Sequence, residues 1–161
     1  MRKLYVFIGK PGCGKTTVLK HLGVKYHDVL SHIKKYFDAS GRMDEANTIK
    51  SYQELFTELK GLSSENIFLE LGTNHAEFVM KNIQELGIDT TFFFCLLNNE
   101  ECLRRNRIGN NPMLEEPLMR RIARVFPDEH LKHISGMKYY ELDMDKNVEE
   151  NVLVVRDIIE Q

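Results

Sequence analysis

The sequence predicts an α/β fold, a three-layer sandwich in which a parallel sheet of five strands carries helices on both faces. Three observations favour it. Apolar strand-like runs alternate with segments of helical periodicity, which is typical of a parallel sheet wrapped by helices. Several of those runs are apolar at nearly every position, as expected for strands buried on both faces. A glycine-rich pattern joins the first run to the first helical segment.

The elements follow in order along the chain. The predicted strands are Leu4–Ile8, Asp28–Ser31, Ile67–Leu71, Thr91–Leu97 and Lys138–Leu142. The predicted helices are Thr17–Leu22, Asn47–Leu59, Ala76–Leu86, Asn99–Arg107, Leu118–Phe126 and Val148–Ile159. With 161 residues and no evident linker, the chain is expected to form a single domain over residues 1–161.

Composition narrows the classes of function. The formal net charge of −2 argues against non-specific binding of nucleic acid through bulk charge. Apolar runs fall short of the roughly 18 residues that a membrane span needs, so no membrane association is expected. The three cysteines form no C-x-x-C pair, which indicates neither a disulfide framework nor a zinc site. We therefore expect a cytoplasmic protein, and the oligomeric state is left open.

Residues Gly9 to Thr16 read G-K-P-G-C-G-K-T, which matches the phosphate-binding loop pattern G-x-x-x-x-G-K-[ST]. In such a loop, backbone N–H groups point inward at a helix N-terminus and bind phosphate. Lys15 would carry positive charge to the β- and γ-phosphates and act in catalysis, and Thr16 would bind Mg²⁺. The alternative is a glycine-rich turn. The residues predicted to bind the nucleotide here are Gly9, Lys10, Pro11, Gly12, Cys13, Gly14, Lys15, Thr16 and Thr17.

Cys13 has two interpretations. The loop amides and Lys15 would lower the pKa of its thiol and make it reactive. The alternative is a small filler at a variable position of the loop.

Glu70 stands at the end of the apolar run Ile67–Leu71. A carboxylate there is poorly explained by packing, because burial of an unpaired charge is costly. We predict that Glu70 orients Mg²⁺ through water or acts as a base; the alternative is an acid that faces solvent. Asn74, just after this strand, is a candidate contact for substrate.

Arginines flank the short loop Ile108–Pro117. They are Arg104, Arg105, Arg107, Arg120, Arg121 and Arg124. This arrangement suits a lid, at about residues 104–124, that neutralises charge during phosphoryl transfer and excludes water. The alternative is a pair of solvated helix faces with i, i+4 ion pairs such as Glu101 to Arg105. An Asn-Lys-x-Asp motif, which a GTPase would carry, is missing from the sequence.

The chain resembles the adenylate-kinase-like small P-loop kinases. The resemblance rests on the phosphate loop, on Phe68-Leu69-Glu70-Leu71-Gly72-Thr73-Asn74, and on Glu101-Cys102-Leu103-Arg104-Arg105-Asn106-Arg107. Cys-Leu-Arg-Arg-Asn and the later run from Met119 to Pro127 look most like the polynucleotide-kinase and zeta-toxin branch. The resemblance implies phosphoryl transfer from ATP with Mg²⁺. It implies that Arg105 lies over the adenine and that later arginines reach the phosphates. The candidate catalytic arginines are Arg107, Arg121 and Arg124; the alternative is an altered lid.

The sequence departs from these kinases in two places. Gly109 stands four residues after Arg105, where relatives often have another arginine. The acid that many relatives carry after the second strand is not evident; His32 stands near that position, and Lys35 stands where relatives often have a phosphate-binding arginine. His32 is either a neutral general base or an ordinary histidine at a helix start. By the same resemblance, the helical segment at about residues 33–60 would bind the acceptor.

We expect the acceptor to be a small molecule or a nucleotide, with a nucleoside monophosphate as first candidate and a polynucleotide 5′-hydroxyl as second. The mixed charge of the acceptor segment weakens the option of a nucleic-acid end. One alternative is an ATPase switch that binds a protein partner. The other is a nucleotide-binding protein without catalysis.

Overall fold

The structure is a computed structural model, and it describes residues 2–39, 44–109 and 112–161. The strands are β1 Lys3–Gly9, β2 Tyr26–Asp28, β3 Asn66–Leu71, β4 Asp89–Leu96 and β5 Lys138–Asp143. The helices are α1 Lys15–Leu22, α2 Leu30–Ile33, α3 Glu45–Lys60, α4 Ala76–Glu85, α5 Asn99–Ile108, α6 Glu115–Ile122, α7 Asp128–Leu131 and α8 Val148–Ile159. A 3-10 turn at Lys34–Tyr36 follows α2.

The five strands form one sheet in the order β2-β3-β1-β4-β5, and every neighbouring pair is parallel. This confirms the predicted α/β class and the parallel five-stranded sheet. The chain leaves β1 toward β2 on one side and later crosses to β4 on the other, so strand order reverses beside β1. In open α/β sheets, ligands bind at the carboxyl ends of the strands at such a point. The loop after β1 occupies that position.

Strand residues alternate between two apolar layers because successive side chains point to opposite faces of a sheet. Leu4, Val6 and Ile8 pack in one buried cluster with side chains of α3 and α4. Tyr5 and Phe7 pack in a second cluster with side chains of α1 and α8. Both faces of β1 are therefore covered, which explains why its sequence is apolar at nearly every position.

Two predicted elements were placed wrongly. The second strand is Tyr26–Asp28, not Asp28–Ser31, and α2 begins at Leu30. Asp28 accepts a hydrogen bond from the Ser31 backbone N–H at 3.3 Å, and this contact favours a helical turn directly after the strand. The sixth helix begins at Glu115 and ends at Ile122, so the predicted range Leu118–Phe126 was shifted toward the C-terminus.

The described residues include no helix that is both long enough and apolar enough to cross a lipid bilayer.

His130 in α7 is a buried histidine, 1% exposed, whose two ring nitrogens have no hydrogen-bond partner among the described residues. Its ring contacts Phe126 edge-on at 5.3 Å between centroids. Burial disfavours the charged imidazolium and lowers the pKa of His130 to about 4, and the charge of His133 acts in the same direction. The neutral ring is thus the form that the fold accepts.

Acidification is expected to destabilise the protein through His130. The pKa of His130 is lower in the folded state than in the unfolded state. The stability that depends on a neutral His130 is therefore complete above pH 6.5, and it is lost as pH falls toward about 4. Across that window, His130→Phe should reduce the pH dependence of the unfolding free energy by about 3 kcal/mol. Urea denaturation at several pH values measures this. The exposed-site control His21→Gln should keep the parent profile, and an unchanged profile in His130→Phe would contradict the assignment.

Candidate functional site

The phosphate-binding pattern folds as a loop between β1 and α1. Gly12 and Gly14 have φ of +78° and +99°, a left-handed backbone conformation that residues other than glycine rarely adopt. Gly14 is the N-cap of α1, so the loop ends at a helix N-terminus. A Cβ on Gly12 would lie 3.2 Å from the Cys102 carbonyl oxygen, which shows how closely the loop lies against α5. The conformation and the helix end are those that backbone anion binding requires.

Lys15, the first residue of α1, is only 8% exposed. Its ammonium donates to the Lys10 carbonyl oxygen at 3.5 Å and, within the described chain, pairs with no carboxylate. A buried ammonium without a counter-charge is energetically costly, so the site favours an anion beside it.

Thr16 and Glu70 meet across the β1–β3 pair. The Thr16 hydroxyl donates to Glu70 Oε1 at 2.7 Å. Glu70 points away from the layer of Leu69 and Leu71, toward the side of the sheet that α1 covers. A hydroxyl and a carboxylate side by side are oxygen ligands of the kind that Mg²⁺ takes together with substrate phosphates, so these residues fit that ion. The described residues contain no cluster of three His, Cys, Asp or Glu side chains that could hold a metal by themselves.

Arg105 fastens the loop to two other elements. Its guanidinium donates to the Cys13 carbonyl at 3.1 Å and to the Met144 carbonyl at 2.8 Å. Its Nε also bonds Glu101 Oε1 at 3.2 Å. Arg104, with help from Arg105, lowers the pKa of Glu101 to about 2. Arg105 thus lies against the loop itself, and its predicted place over an adenine stays a prediction.

The remainder of the loop is held from α5 as well. Lys10 Nζ donates to Asn99 Oδ1 at 2.9 Å. Beyond Lys10, a cleft of about 400 Å³ opens between the carboxyl ends of β4 and β5. Its lining includes Leu97, Asn98, Phe126 and Asp145. This cleft is the open space next to the loop.

Asp28 lies beside Glu70, a neighbourhood that the sequence analysis did not predict. It ends β2, and its backbone pairs with that of Glu70 on β3, so the two side chains point to the same face of the sheet. Both carboxylates act on the hydroxyl of Tyr26: burial raises its pKa, and Glu70 and then Asp28 raise it further. Asp28 is the last residue of β2, so an acid does stand at the end of the second strand, where the sequence analysis found none. The strand had been placed two residues late, which put the acid at its start.

His32 and Lys35 contact carboxylates of α3. His32 Nε2 lies 2.6 Å from Glu58 Oε2, and Lys35 Nζ lies 2.8 Å from Glu54 Oε2. Glu58 also bonds His27 Nδ1 at 2.9 Å. His32 and Lys35 are thus each paired with a carboxylate of α3. Their predicted contacts with substrate stay predictions.

The segment after β3 carries unusual local features. Asn74 precedes α4, and His75, its N-cap, has φ 53° and ψ 46°, the left-handed conformation that is uncommon for residues other than glycine. Thr73 is 6% exposed, and its buried hydroxyl has no hydrogen-bond partner among the described residues. Strain and unsatisfied polar groups of this kind concentrate at functional sites.

The arginines of the predicted lid fall into two groups. Those on α5 are paired: Arg104 with Glu101, and Arg107 with Glu115, at 2.6 Å in the second case. Arg121 and Arg124, at and just after the end of α6, are exposed and form no ion pair among the described residues. The part of the predicted lid loop at residues 110–111 lies outside the described residues, as do residues 40–43 of the predicted acceptor segment.

The positive charges of Arg121 and Arg124 influence the hydroxyl of Tyr52 in α3. Burial raises the pKa of the Tyr52 hydroxyl to about 12, and the positive charges of Arg124 and Arg121 oppose that shift. The Tyr52 ring lies 6.1 Å from the His75 ring. Two unpaired positive charges thus act on the same buried ring of α3 that contacts the segment after β3.

Comparison with solved structures shows which proteins have a similar fold. No protein-family model and no curated protein sequence matches the chain. Among solved structures, shikimate kinase from Bacteroides thetaiotaomicron has a TM-score of 0.68 at 16% identity, covering 99% of each chain. An unliganded sugar kinase from Janibacter has a TM-score of 0.68 at 12% identity, over 99% of this chain and 95% of that one. APS kinase from Mycobacterium tuberculosis, solved with AMPPNP and APS, has a TM-score of 0.60 at 19% identity, over 99% and 98%.

These similarities show that the chain has the fold of P-loop kinases. At such identities they show the fold alone. The predicted polynucleotide-kinase and zeta-toxin branch is not shown by them.

Proposed function

We propose that this protein is a kinase that transfers the γ-phosphoryl group of ATP to a hydroxyl or phosphate of a small acceptor, with Mg²⁺ as cofactor. The observation that carries the proposal is the Thr16–Glu70 contact of 2.7 Å beside the buried, unpaired Lys15. It brings a phosphate loop, a positive charge and a metal-compatible oxygen pair to one edge of the sheet. The fold of solved kinases supports it.

Each residue has a part in the proposed reaction. Amides of the loop and Lys15 bind the phosphates, and Thr16 and Glu70 would hold Mg²⁺, which neutralises charge that develops on the transferring group. Arg105 keeps the loop in its binding conformation through the Cys13 carbonyl. Asp28, on the same face as Glu70, accepts the proton of an acceptor hydroxyl. Positioning and electrostatics then supply most of the catalysis.

We further propose that the acceptor carries an anionic group that Arg121 and Arg124 bind. Their charges act on Tyr52, which contacts the segment of Thr73 and His75, and within the described residues they lack carboxylate partners. Arg107, by contrast, is already paired with Glu115. A nucleoside monophosphate fits this description, as does a small carboxylate, sulfate or phosphate ester with a free hydroxyl. A cytoplasmic location remains our expectation from the sequence.

A labelling screen tests the kinase assignment. The protein is incubated with γ-labelled ATP and Mg²⁺ in the presence of nucleoside monophosphates, sugars, hydroxy acids and 5′-hydroxyl oligonucleotides. Label on one small anionic acceptor supports the proposal. Release of free phosphate that no acceptor changes would instead favour the alternative of an ATPase switch, and label on oligonucleotides alone would overturn the small-molecule acceptor.

The double variant Arg121→Gln/Arg124→Gln separates acceptor binding from catalysis. With the acceptor found in the screen, we expect its KM to rise about 100-fold or more while the KM for ATP stays unchanged, because the variant removes two charged hydrogen bonds that each contribute on the order of 1.5–3 kcal/mol. Arg120→Gln, an exposed arginine of the same helix, is the matched control and should behave like the parent. A fall in kcat at unchanged acceptor KM would contradict acceptor binding by the two arginines and would favour their role in a catalytic lid.

A further inference from the structure

Three cysteines surround the phosphate loop. Cys13 lies in the loop, Cys95 in β4 and Cys102 in α5, and all three are free thiols with at most 1% exposure. The proposed reaction uses none of these thiols. Three buried thiols around one binding loop therefore need a separate explanation.

Cys13 and Cys95 meet over Gly9. The Cys95 backbone pairs with that of Gly9 across the β1–β4 ladder. A Cβ built on Gly9 would lie 2.6 Å from Cys13 Sγ and 3.0 Å from the Cys95 Cβ. The two cysteine side chains thus both approach the point where a Cβ of residue 9 would stand, and they can do so because residue 9 is glycine. Disulfides join cysteines whose Cβ atoms are about 3.5–4.5 Å apart, so the two side chains must lie beside one point, as Cys13 and Cys95 do at Gly9.

The local chemistry favours reaction at Cys13. Hydrogen bonding with the Cys95 side chain lowers the pKa of the Cys13 thiol to about 6 against the effect of burial, and the charge of Lys15 acts in the same direction. The same interaction and burial raise the pKa of Cys95. The Cys95 thiol donates its proton to the Phe93 carbonyl oxygen at 3.8 Å, whereas Cys13 lies in the loop two residues from Lys15, so we take Cys13 as the nucleophile and Cys95 as the resolving thiol.

We propose that Cys13 and Cys95 form a reversible intramolecular disulfide that switches off nucleotide binding. The oxidant is a small hydroperoxide. The Cys13 thiolate attacks one peroxide oxygen, the O–O bond breaks, and a sulfenic acid and hydroxide result. The Cys95 sulfur then attacks the sulfenic sulfur, the S–O bond breaks, and the departing hydroxide combines with the Cys95 proton to form water. Two thiols lose two electrons in total, and a dithiol reductant restores them.

The disulfide acts on nucleotide binding through the loop backbone. A covalent S–S bond of about 2.05 Å is shorter than any non-bonded sulfur contact, so its formation draws Cys13 toward β4. The Cys13 carbonyl is bonded to Arg105, and both neighbours of Cys13 are left-handed glycines, so movement of Cys13 misaligns the loop amides. Because binding and oxidation are linked, bound nucleotide should in turn slow disulfide formation. This effect rests on the nucleotide site of the proposed function.

The test uses the full-length protein and two readouts. Reduced protein is treated with hydrogen peroxide, the remaining thiols are alkylated in denaturant because all three are buried in the fold, and the intact mass and peptide map are recorded. We expect loss of two alkylatable thiols and a cross-linked peptide pair holding Cys13 and Cys95. Binding of a fluorescent ATP analogue should weaken at least 10-fold on oxidation and recover with dithiothreitol. ATP present during the peroxide treatment should slow the loss of thiols.

Two variants complete the test. Cys95→Ser should keep nucleotide binding under peroxide, with Cys95→Ala as a second variant in case the hydroxyl is poorly accommodated in the apolar layer. Cys102→Ser is the matched control and should still form the disulfide. Three alkylatable thiols after oxidation, a link through Cys102, or oxidised protein that binds the analogue as tightly as reduced protein would each overturn the switch. Failure of the reduced protein to bind the analogue would count against the proposed function instead, because disulfide mapping does not depend on nucleotide.

Discussion

Replacing Lys15 by alanine is expected to lower the rate of phosphoryl transfer by about 100- to 1,000-fold, since a preorganised charge at the transferring group is worth that much. The fold should survive. The Lys15 side chain is 8% exposed and, among the described residues, meets no carboxylate. Removing a buried, unpaired ammonium should leave the nucleotide-free protein at least as stable as the parent.

Two measurements check this expectation. Initial rates with labelled ATP report the transfer, and thermal unfolding without nucleotide reports the stability. Lys20→Ala, an exposed lysine of the same helix, serves as the matched control and should change neither quantity appreciably. Full turnover in Lys15→Ala would show that the catalytic site has been assigned to the wrong loop.

Glu70→Gln is expected to lower kcat by about 100-fold at low Mg²⁺ concentration while the affinity for ATP changes little. The amide keeps the size of the side chain and its contact with the Thr16 hydroxyl, which is 2.7 Å in the parent, but it removes the negative charge beside the proposed Mg²⁺ position. The measurement is kcat as a function of Mg²⁺ concentration, together with equilibrium binding of ATP. Equal rates for variant and parent at every Mg²⁺ concentration would make Glu70 a structural residue.

Asp28→Asn provides the matched carboxylate comparison. Asp28 and Glu70 are register partners in the β2–β3 ladder, so each variant removes one negative charge from the same face of the sheet. If Asp28 accepts the acceptor proton, its loss should lower kcat at all Mg²⁺ concentrations without rescue by the metal. Rescue of Asp28→Asn by Mg²⁺ would instead place Asp28 with the metal ligands.

Much of the framework could be predicted because it depends on local patterns. The apolar character of β1 and the pattern Gly9 to Thr16 are adjacent in the sequence, so strand, loop and helix follow from one short stretch. Glu70 could be predicted for a related reason, since packing does not explain a carboxylate at the end of an apolar strand. β2 was misplaced because its three residues, Tyr26-His27-Asp28, carry no apolar run.

The α/β class and the phosphate-binding loop can be read from the sequence, because they follow from periodicity and from a contiguous motif. The meeting of distant side chains is visible only in the folded protein. The fold joins Thr16 to Glu70, pairs Asp28 with Glu70, and brings Cys95 beside the loop. These meetings depend on the order of the strands, which a parallel sheet sets through crossover connections and buried packing between layers. Those contacts involve residues far apart in the chain, so no window of sequence contains them.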